Sequence, residues 1–85
     1  MNRERYDQFL LHYIREALIY GDNDVGEAAN WLEAQKPRRF FAPAEQKEAL
    51  RRAQKIFTAY QDRPLWFVLK CFDLTEDDIK SGFSL

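Results

Sequence analysis

Hydrophobic residues recur at steps of three and four positions along the first twenty residues of the chain. The repeating set is Tyr6, Phe9, Leu10, Tyr13, Ile14, Ala17 and Leu18. This spacing places the set on one face of an amphipathic helix. Gly21 follows at the position of a C′ glycine, and Asp22 and Asn23 complete the turn. The pattern therefore predicts a helix over about residues 3–20.

A second helix is predicted directly after this turn. Asp24 can cap it, because Glu27 stands three residues later in the arrangement of a capping box. Its apolar face consists of Val25, Ala28, Ala29 and Leu32, and Trp31 widens it. Pro37 should end the helix, since the residue before a proline is disfavoured in the α region. Together the two helices predict a helical hairpin over residues 3–36.

Helical periodicity is absent from residues 36–43, where two prolines bracket two arginines and two phenylalanines. We interpret this stretch as a basic and aromatic connector. A third helix is predicted over residues 43–61, because proline suits the first helical position. Its inward residues should be Leu50, Ala53, Ile56 (or Phe57) and Tyr60. Lys47, Arg51 and Lys55, four residues apart, should form a basic stripe on the opposite face.

Two further helices are predicted over residues 64–73 and 75–81. Residues 65–72 are apolar almost all round, which favours a central helix over a lone strand without a partner. Thr75 and Asp78 repeat the capping signature. The prediction is an all-α fold: a compact bundle of four to five short helices forming a single helical domain over residues 1–85. Its core should include Leu10, Ile14, Leu32, Leu50, Ile56 and Leu69.

Composition supports this fold class and indicates the cellular compartment. Hydrophobic residues make up 46% of the chain, and only three Gly and three Pro occur, so turn material for a many-stranded fold is scarce. The single cysteine excludes an intramolecular disulfide and indicates a reducing compartment, so we expect a cytoplasmic location. The longest apolar run, residues 65–69, is far short of the ~20 residues of a membrane span, so no membrane association is expected.

The charges are unevenly distributed although the formal net charge is only −1. Residues 1–35 carry three basic and seven acidic side chains, whereas residues 36–55 carry seven basic and two acidic ones. Such a basic segment can bind an anionic partner or pair internally with the acidic hairpin. The sequence leaves both alternatives open.

Residues of catalytic or metal-binding type are few and scattered. His12 lies off the apolar face of the first helix, so it should be a solvated surface residue. Cys71 is expected to be a small buried hydrophobic residue, since nothing near it in the sequence would stabilise a thiolate. The run Glu76-Asp77-Asp78 suits a helix N-terminus, and Asp22-Asn23-Asp24 suits a turn. We therefore expect no enzyme, no metal site and no cofactor.

The hairpin does not fit a DNA-reading helix-turn-helix. Ala17 and Gly21 have the right spacing, but Glu27 and Asn30 fall at positions six and nine after the glycine, which should be apolar. The hairpin is instead similar to the last two helices of ubiquitin-associated domains. That resemblance rests on Ala17-Leu18, Asn23-Asp24-Val25, Ala28-Ala29-Asn30 and Trp31-Leu32. The family's first helix and its ubiquitin-binding loop have no counterpart, so the resemblance implies shared helix packing and not ubiquitin binding.

These observations favour binding over chemistry. We expect a small accessory or regulatory module that binds a protein partner, or a second copy of itself, through Arg38, Arg39, Phe40 and Phe41, because aromatic and arginine residues concentrate binding energy. The alternative is nucleic-acid binding through the basic segment 36–55, with Arg38, Arg39, Lys47, Arg51 and Lys55 on the phosphates. The acidic isoelectric point of about 5.8 weighs against a dedicated nucleic-acid binder.

Overall fold

Five helices form the regular structure of the computed structural model, which describes residues 1–36 and 42–81, with the backbone alone at Ser81. They are α1 (Arg3–Tyr20), α2 (Val25–Glu33), α3 (Ala44–Ala59), α4 (Leu65–Lys70) and α5 (Glu76–Ser81). No strand occurs in these described ranges. The radius of gyration, 12.2 Å, is close to the ~12 Å expected for a compact chain of this length. The predicted all-α bundle is thus confirmed.

The core lies where α1, α2 and α3 meet, and α1 packs most extensively against α3. Five of the six predicted core residues are buried: Leu10, Ile14, Leu32, Leu50 and Leu69. The sixth, Ile56, is only half-buried, because Phe57 occupies the inward position with no exposed surface. The prediction that Tyr60 faces inward is wrong. Tyr60 is the residue after α3, and its side chain is exposed to solvent.

The turn between α1 and α2 forms where predicted but by a different backbone arrangement. Gly21 has a φ of −91°, so it is not the left-handed residue. Asp22 and Asn23 take that role, with φ of 52° and 61°. The glycine is needed for space, because a Cβ there would lie 2.6 Å from the backbone nitrogen of Ala28. α1 and α2 therefore approach each other closely at this turn.

Capping side chains set the starts of two helices. The Asp24 carboxylate accepts a hydrogen bond from the Glu27 backbone N–H at 2.9 Å, but the Asp24 N–H donates to the Gly21 carbonyl instead of to Glu27. The Thr75 and Asp78 pair is reciprocal, with Thr75 N–H donating to the Asp78 carboxylate at 2.8 Å. Only the second pair is therefore a complete capping box.

Three helices end earlier than predicted: α3 ends at Ala59 instead of residue 61, and α2 and α4 each end three residues early. α2 ends at Glu33, where Gln54 of α3 donates hydrogen bonds to the Leu32 and Gln35 carbonyls at 2.8 and 3.2 Å. α4 ends at Lys70, because Asp73 takes a left-handed φ of 60° and the Leu74 N–H bonds back to the Leu69 carbonyl. This closure is a Schellman motif made by aspartate instead of glycine.

The prediction that the apolar segment 65–72 forms a central helix is wrong. α4 has only six residues and lies at the edge of the three-helix core. Val68 and Leu69 are fully buried, Phe67 is half-buried and Trp66 is exposed. α5 is held against α1 in part by the Arg15 guanidinium, which donates to the Asp78 carbonyl at 3.1 Å.

Candidate functional site: an aromatic surface and a basic stripe

The predicted partner-binding residues Arg38, Arg39, Phe40 and Phe41 lie outside the described residues. Their role as a docking segment, and the contribution of Arg38 and Arg39 to nucleic-acid binding, stay predictions. The remaining basic residues of the predicted nucleic-acid site are described. They lie on α3, where they form an exposed basic surface.

The basic stripe consists of Lys47, Arg51 and Lys55, all exposed on the side of α3 away from the core. Lys36 and Gln54 border a cleft of about 430 Å³ beside it, which Lys47 and Arg51 also line. Glu33 is at the same cleft, but its carboxylate accepts a hydrogen bond from the Thr58 hydroxyl at 2.7 Å. The stripe thus offers several cations to solvent along two turns of one helix.

Internal pairing of the stripe with the acidic α1–α2 hairpin is not observed among the described residues. The one carboxylate that contacts the stripe is Glu48 of α3 itself, 3.7 Å from the Arg51 guanidinium. The other described ion pairs lie within α1, between Arg3 and Asp7 and between His12 and Glu16. The stripe's charge is therefore left for solvent or for a ligand.

A second surface, which we call the aromatic corner, consists of Tyr60, Arg63, Trp66 and Phe67. The Tyr60 and Phe67 rings meet edge to face with centroids 5.3 Å apart, and Trp66 and Phe67 meet similarly at 6.0 Å. The Arg63 guanidinium lies 5.5 Å from the centroid of the Phe67 ring, within cation–π range. Three rings and one cation are thus contiguous at the junction of α3 and α4.

The local backbone explains why these side chains meet. α3 ends at Ala59, and a tight turn follows in which the Arg63 N–H donates to the Tyr60 carbonyl at 2.9 Å. Pro64 is extended at φ −66°, ψ 156°, and its carbonyl accepts from the Phe67 N–H at the start of α4. The short connection therefore brings Tyr60, the C-cap residue of α3, and the first turn of α4 side by side.

The aromatic corner is open to solvent. Trp66 has 60% of its surface exposed and Tyr60 has 37%. The Trp66 indole N–H makes no hydrogen bond to any residue in the described parts of the chain. Aromatic side chains combine a large apolar surface with, in Trp and Tyr, a polar group that commonly finds a partner at interfaces. The corner therefore has the composition of a binding surface.

A groove adjoins the corner on the side of α5. It has a volume of about 560 Å³, and we call its apolar lining residues, Trp66 and Leu74, the floor and its charged lining residues the rim. Carboxylates of Asp73, Glu76 and Asp77 line it, and Lys70 is the one cation among its lining residues. The groove therefore combines an apolar floor with a net negative rim.

Another pair of aromatic residues lies on the α1–α2 hairpin. The Tyr20 ring stacks on Trp31, with centroids 5.2 Å apart and planes 11° from parallel. Tyr20 is 65% exposed, and Ile19 beside it is also exposed. Because Tyr20 covers Trp31, the pair has a local packing role, and neither ring contacts the aromatic corner.

Residues of catalytic type do not converge in the described part of the chain. His12 is on the surface, as predicted, with its Nε2 4.0 Å from a Glu16 carboxylate oxygen. Cys71 is half-buried, not fully buried as predicted, because it borders a cleft of about 380 Å³ that Arg52 and Phe72 also line. Among the described residues, no group of three His, Cys, Asp or Glu side chains could hold a metal ion.

Sequence reasoning missed the aromatic corner, although a signal for it exists. Leu65, Val68, Leu69 and Phe72 are spaced at steps of three and four and form the inward side of this segment. Trp66 and Lys70 are four residues apart and share the opposite side. The lysine therefore marks the outer face to which Trp66 also belongs.

Comparison with known proteins found no match to a protein-family model, a curated protein or a solved structure. None of the helices in the described ranges combines the length and the apolar character that crossing a membrane requires.

Proposed function

We propose that this protein is a non-enzymatic accessory or regulatory module that binds a protein partner through the aromatic corner. The observation that carries the proposal is the exposure of Trp66 at 60% within a contiguous group of Tyr60, Phe67 and Arg63. Trp, Tyr and Arg are the residue types that most often dominate binding energy at protein interfaces. A reducing compartment such as the cytoplasm suits a chain with a single free cysteine.

Exposed apolar residues are common on protein surfaces when they occur singly. The aromatic corner differs because the Phe67 ring contacts both Tyr60 and Trp66 and also lies under the Arg63 guanidinium. The buried residues of α4, Val68 and Leu69, already anchor the helix to the core. Trp66 thus buries little of its surface in the fold. Binding of a partner explains why a large aromatic residue stands at this exposed position.

The test is affinity capture from cells that produce the protein, after nuclease treatment, with the wild-type chain and a Trp66→Ala variant. Truncation of an interface hot spot costs about 2 kcal/mol or more, so we expect the variant to lose its partner by about thirtyfold in affinity. Tyr20→Ala is the matched control, because Tyr20 is equally exposed but belongs to the hairpin. It should retain the partner.

The melting temperatures of both variants decide how a loss of binding is interpreted. Trp66 is mostly solvated, so we expect its removal to change stability by less than about 1 kcal/mol. The proposal is wrong if Trp66→Ala captures the same proteins as the wild type, or if its loss of binding coincides with unfolding. A partner lost equally by Tyr20→Ala would also contradict it.

A second candidate function, nucleic-acid binding, is favoured by the exposure of the basic stripe without pairing to α1. If Lys47, Arg51 and Lys55 each neutralise one phosphate, the log–log slope of the binding constant against salt should be about −2.7 on duplex DNA. Participation of Arg38 and Arg39 would bring this slope to about −4.5.

Filter-binding titrations over a range of salt concentrations measure this slope. Each single change of a stripe residue to Ala should flatten it by about one unit, whereas the control Lys70→Ala, on α4, should leave it unchanged. Absence of binding at low salt to duplex DNA, single-stranded DNA and RNA would exclude this function.

A further inference from the structure

We infer that the groove beside Trp66 accepts a cationic, amphipathic segment of the protein partner, with an apolar side chain on the groove floor and basic side chains on its rim. This inference rests on the proposed docking function and specifies the chemistry of the partner. The juxtaposition that carries it is an apolar floor of Trp66 and Leu74 beside the carboxylates of Asp73 and Glu76.

The charge of the groove selects the occupant. Its lining residues include three carboxylates and one ammonium group, so the rim has a net charge of −2. Asp73 and Glu76 are exposed, and neither is in an ion pair with another described residue. We do not count Asp78 among the carboxylates available to a ligand, because its carboxylate accepts hydrogen bonds from Thr75.

The position of Asp73 at the groove is set by the backbone of the turn after α4, and not by the preference of a helix N-terminus for negative charge. Asp73 lies between α4 and α5, and its left-handed backbone, with φ of 60°, closes α4. This turn places the residue at the groove beside Trp66. Acidic residues in the first turn of α5 are explained by the helix dipole, whereas Asp73 occupies the left-handed position that closes α4, a position that aspartate tolerates.

The apolar floor and the acidic rim together exclude other occupants. A phosphate backbone would be repelled by the carboxylates. A second copy of the chain could offer the basic stripe of α3, but among the described residues none of the exposed large hydrophobic side chains lies on that helix. The stripe therefore has no apolar anchor for the floor, and we assign the segment to a different protein.

The experiment uses two fluorescently labelled amphipathic helical peptides of fourteen residues, one of leucine and lysine and the other of leucine and glutamate. Fluorescence anisotropy measures the affinity of each peptide for the full chain. We expect the lysine peptide to bind at least tenfold more tightly than the glutamate peptide, because oppositely charged groups attract and like charges repel across an interface. Added salt should reduce the difference.

Variants locate the binding. Asp73→Asn with Glu76→Gln should weaken binding of the lysine peptide about three- to tenfold, the range expected for two exposed charge pairs. Trp66→Ala should weaken it further. The matched control, Glu4→Gln with Glu27→Gln, removes the same net charge from exposed positions on α1 and α2 and should not change the affinity.

Equal binding of both peptides, or an equal effect of the control pair, would overturn the inference. So would the absence of peptide binding, or sedimentation data that show the groove occupied by a second copy through self-association that Trp66→Ala abolishes. The proposed function fails separately: if Trp66→Ala loses the captured partner but Asp73→Asn with Glu76→Gln retains it, docking stands and the basic-segment inference falls.

Discussion

Glu45 is the one acidic side chain buried in the described part of the molecule, with 9% of its surface exposed. Its carboxylate accepts a hydrogen bond from the Asn2 backbone N–H at 2.8 Å and so ties the residues before α1 to the first turn of α3. The bond from Asn2, its own backbone N–H and the Arg5 charge hold the pKa of Glu45 below the ordinary value of 4.5, against an opposing effect of burial. The charged form is therefore the one that the fold stabilises.

This lowered pKa predicts a pH dependence of stability. A carboxyl whose pKa is lower in the folded state stabilises the fold above its unfolded pKa, and this contribution disappears as the pH falls through the folded value. Glu45→Gln should therefore be less stable than the wild type at pH 7, and the difference should shrink as the pH falls below about 4.5. Urea unfolding at a series of pH values measures this.

The control is Glu48→Gln, which removes another carboxylate of α3 that has no bond to residues before α1. A stability difference between Glu45→Gln and the wild type that stays constant across the acidic range would contradict the argument. It would mean that the hydrogen bond to Glu45 stabilises the fold equally whether the carboxyl is charged or neutral.

Single residues also show where sequence reasoning reaches its limit. The turn after α1 could be predicted from Gly21-Asp22-Asn23, but not which residue takes the left-handed backbone. The glycine instead makes room for Ala28, a contact between two helices. A pattern of residue types does not reveal such a tertiary contact, and asparagine and aspartate enter the left-handed region more readily than other non-glycine residues, so all three residues suit the turn.

At the scale of the element, the register of α3 was open between two neighbouring residues. Both Ile56 and Phe57 suit the apolar spacing set by Leu50 and Ala53, and the structure selects Phe57. The Phe57 ring packs against Phe72, with centroids 5.9 Å apart. A contact with the segment after α4 therefore decides which residue faces inward, and that information lies outside the helix itself.

The register predicts unequal effects of two adjacent substitutions. Phe57→Ala removes a fully buried ring and should lower the free energy of unfolding by about 3–5 kcal/mol. Ile56→Ala removes a half-buried side chain and should cost distinctly less, about 1 kcal/mol. Thermal or urea unfolding measures both. Equal costs, or a larger cost for Ile56→Ala, would mean that the helix is rotated from the register described.

α4 also shows what a sequence pattern leaves undetermined. Its composition correctly predicts a helix, but a run that is apolar all round does not reveal which side is covered. Whether Trp66 is core or surface depends on how far the bundle extends around α4. The exposure of the aromatic corner therefore could not be read from the run of apolar residues, and the spacing of Trp66 and Lys70 was its one local sign.

At the scale of the whole molecule, the helices differ in how much they contribute to the core and to the exposed aromatic and charged surfaces. α1, α2 and α3 form the core, whereas α4 and α5 extend it and contribute an aromatic and acidic surface. The basic stripe lies on the exposed face of α3. The excess of basic residues in segment 36–55 of the sequence therefore produces a basic surface on this side of the helix. The helices and most of the core were predictable, because apolar periodicity and capping residues encode them locally.

The central claim is that the aromatic corner contacts a protein partner, and site-specific photo-crosslinking tests it most directly. A photoreactive p-benzoylphenylalanine replaces Trp66 in one variant and Tyr20 in another, and both are irradiated in cells that produce the protein. We predict a covalent adduct to a protein from position 66 and none from position 20, with competition by excess unmodified chain but not by Trp66→Ala. Equal adducts from both positions, or an adduct that the unmodified chain does not compete, would contradict the claim.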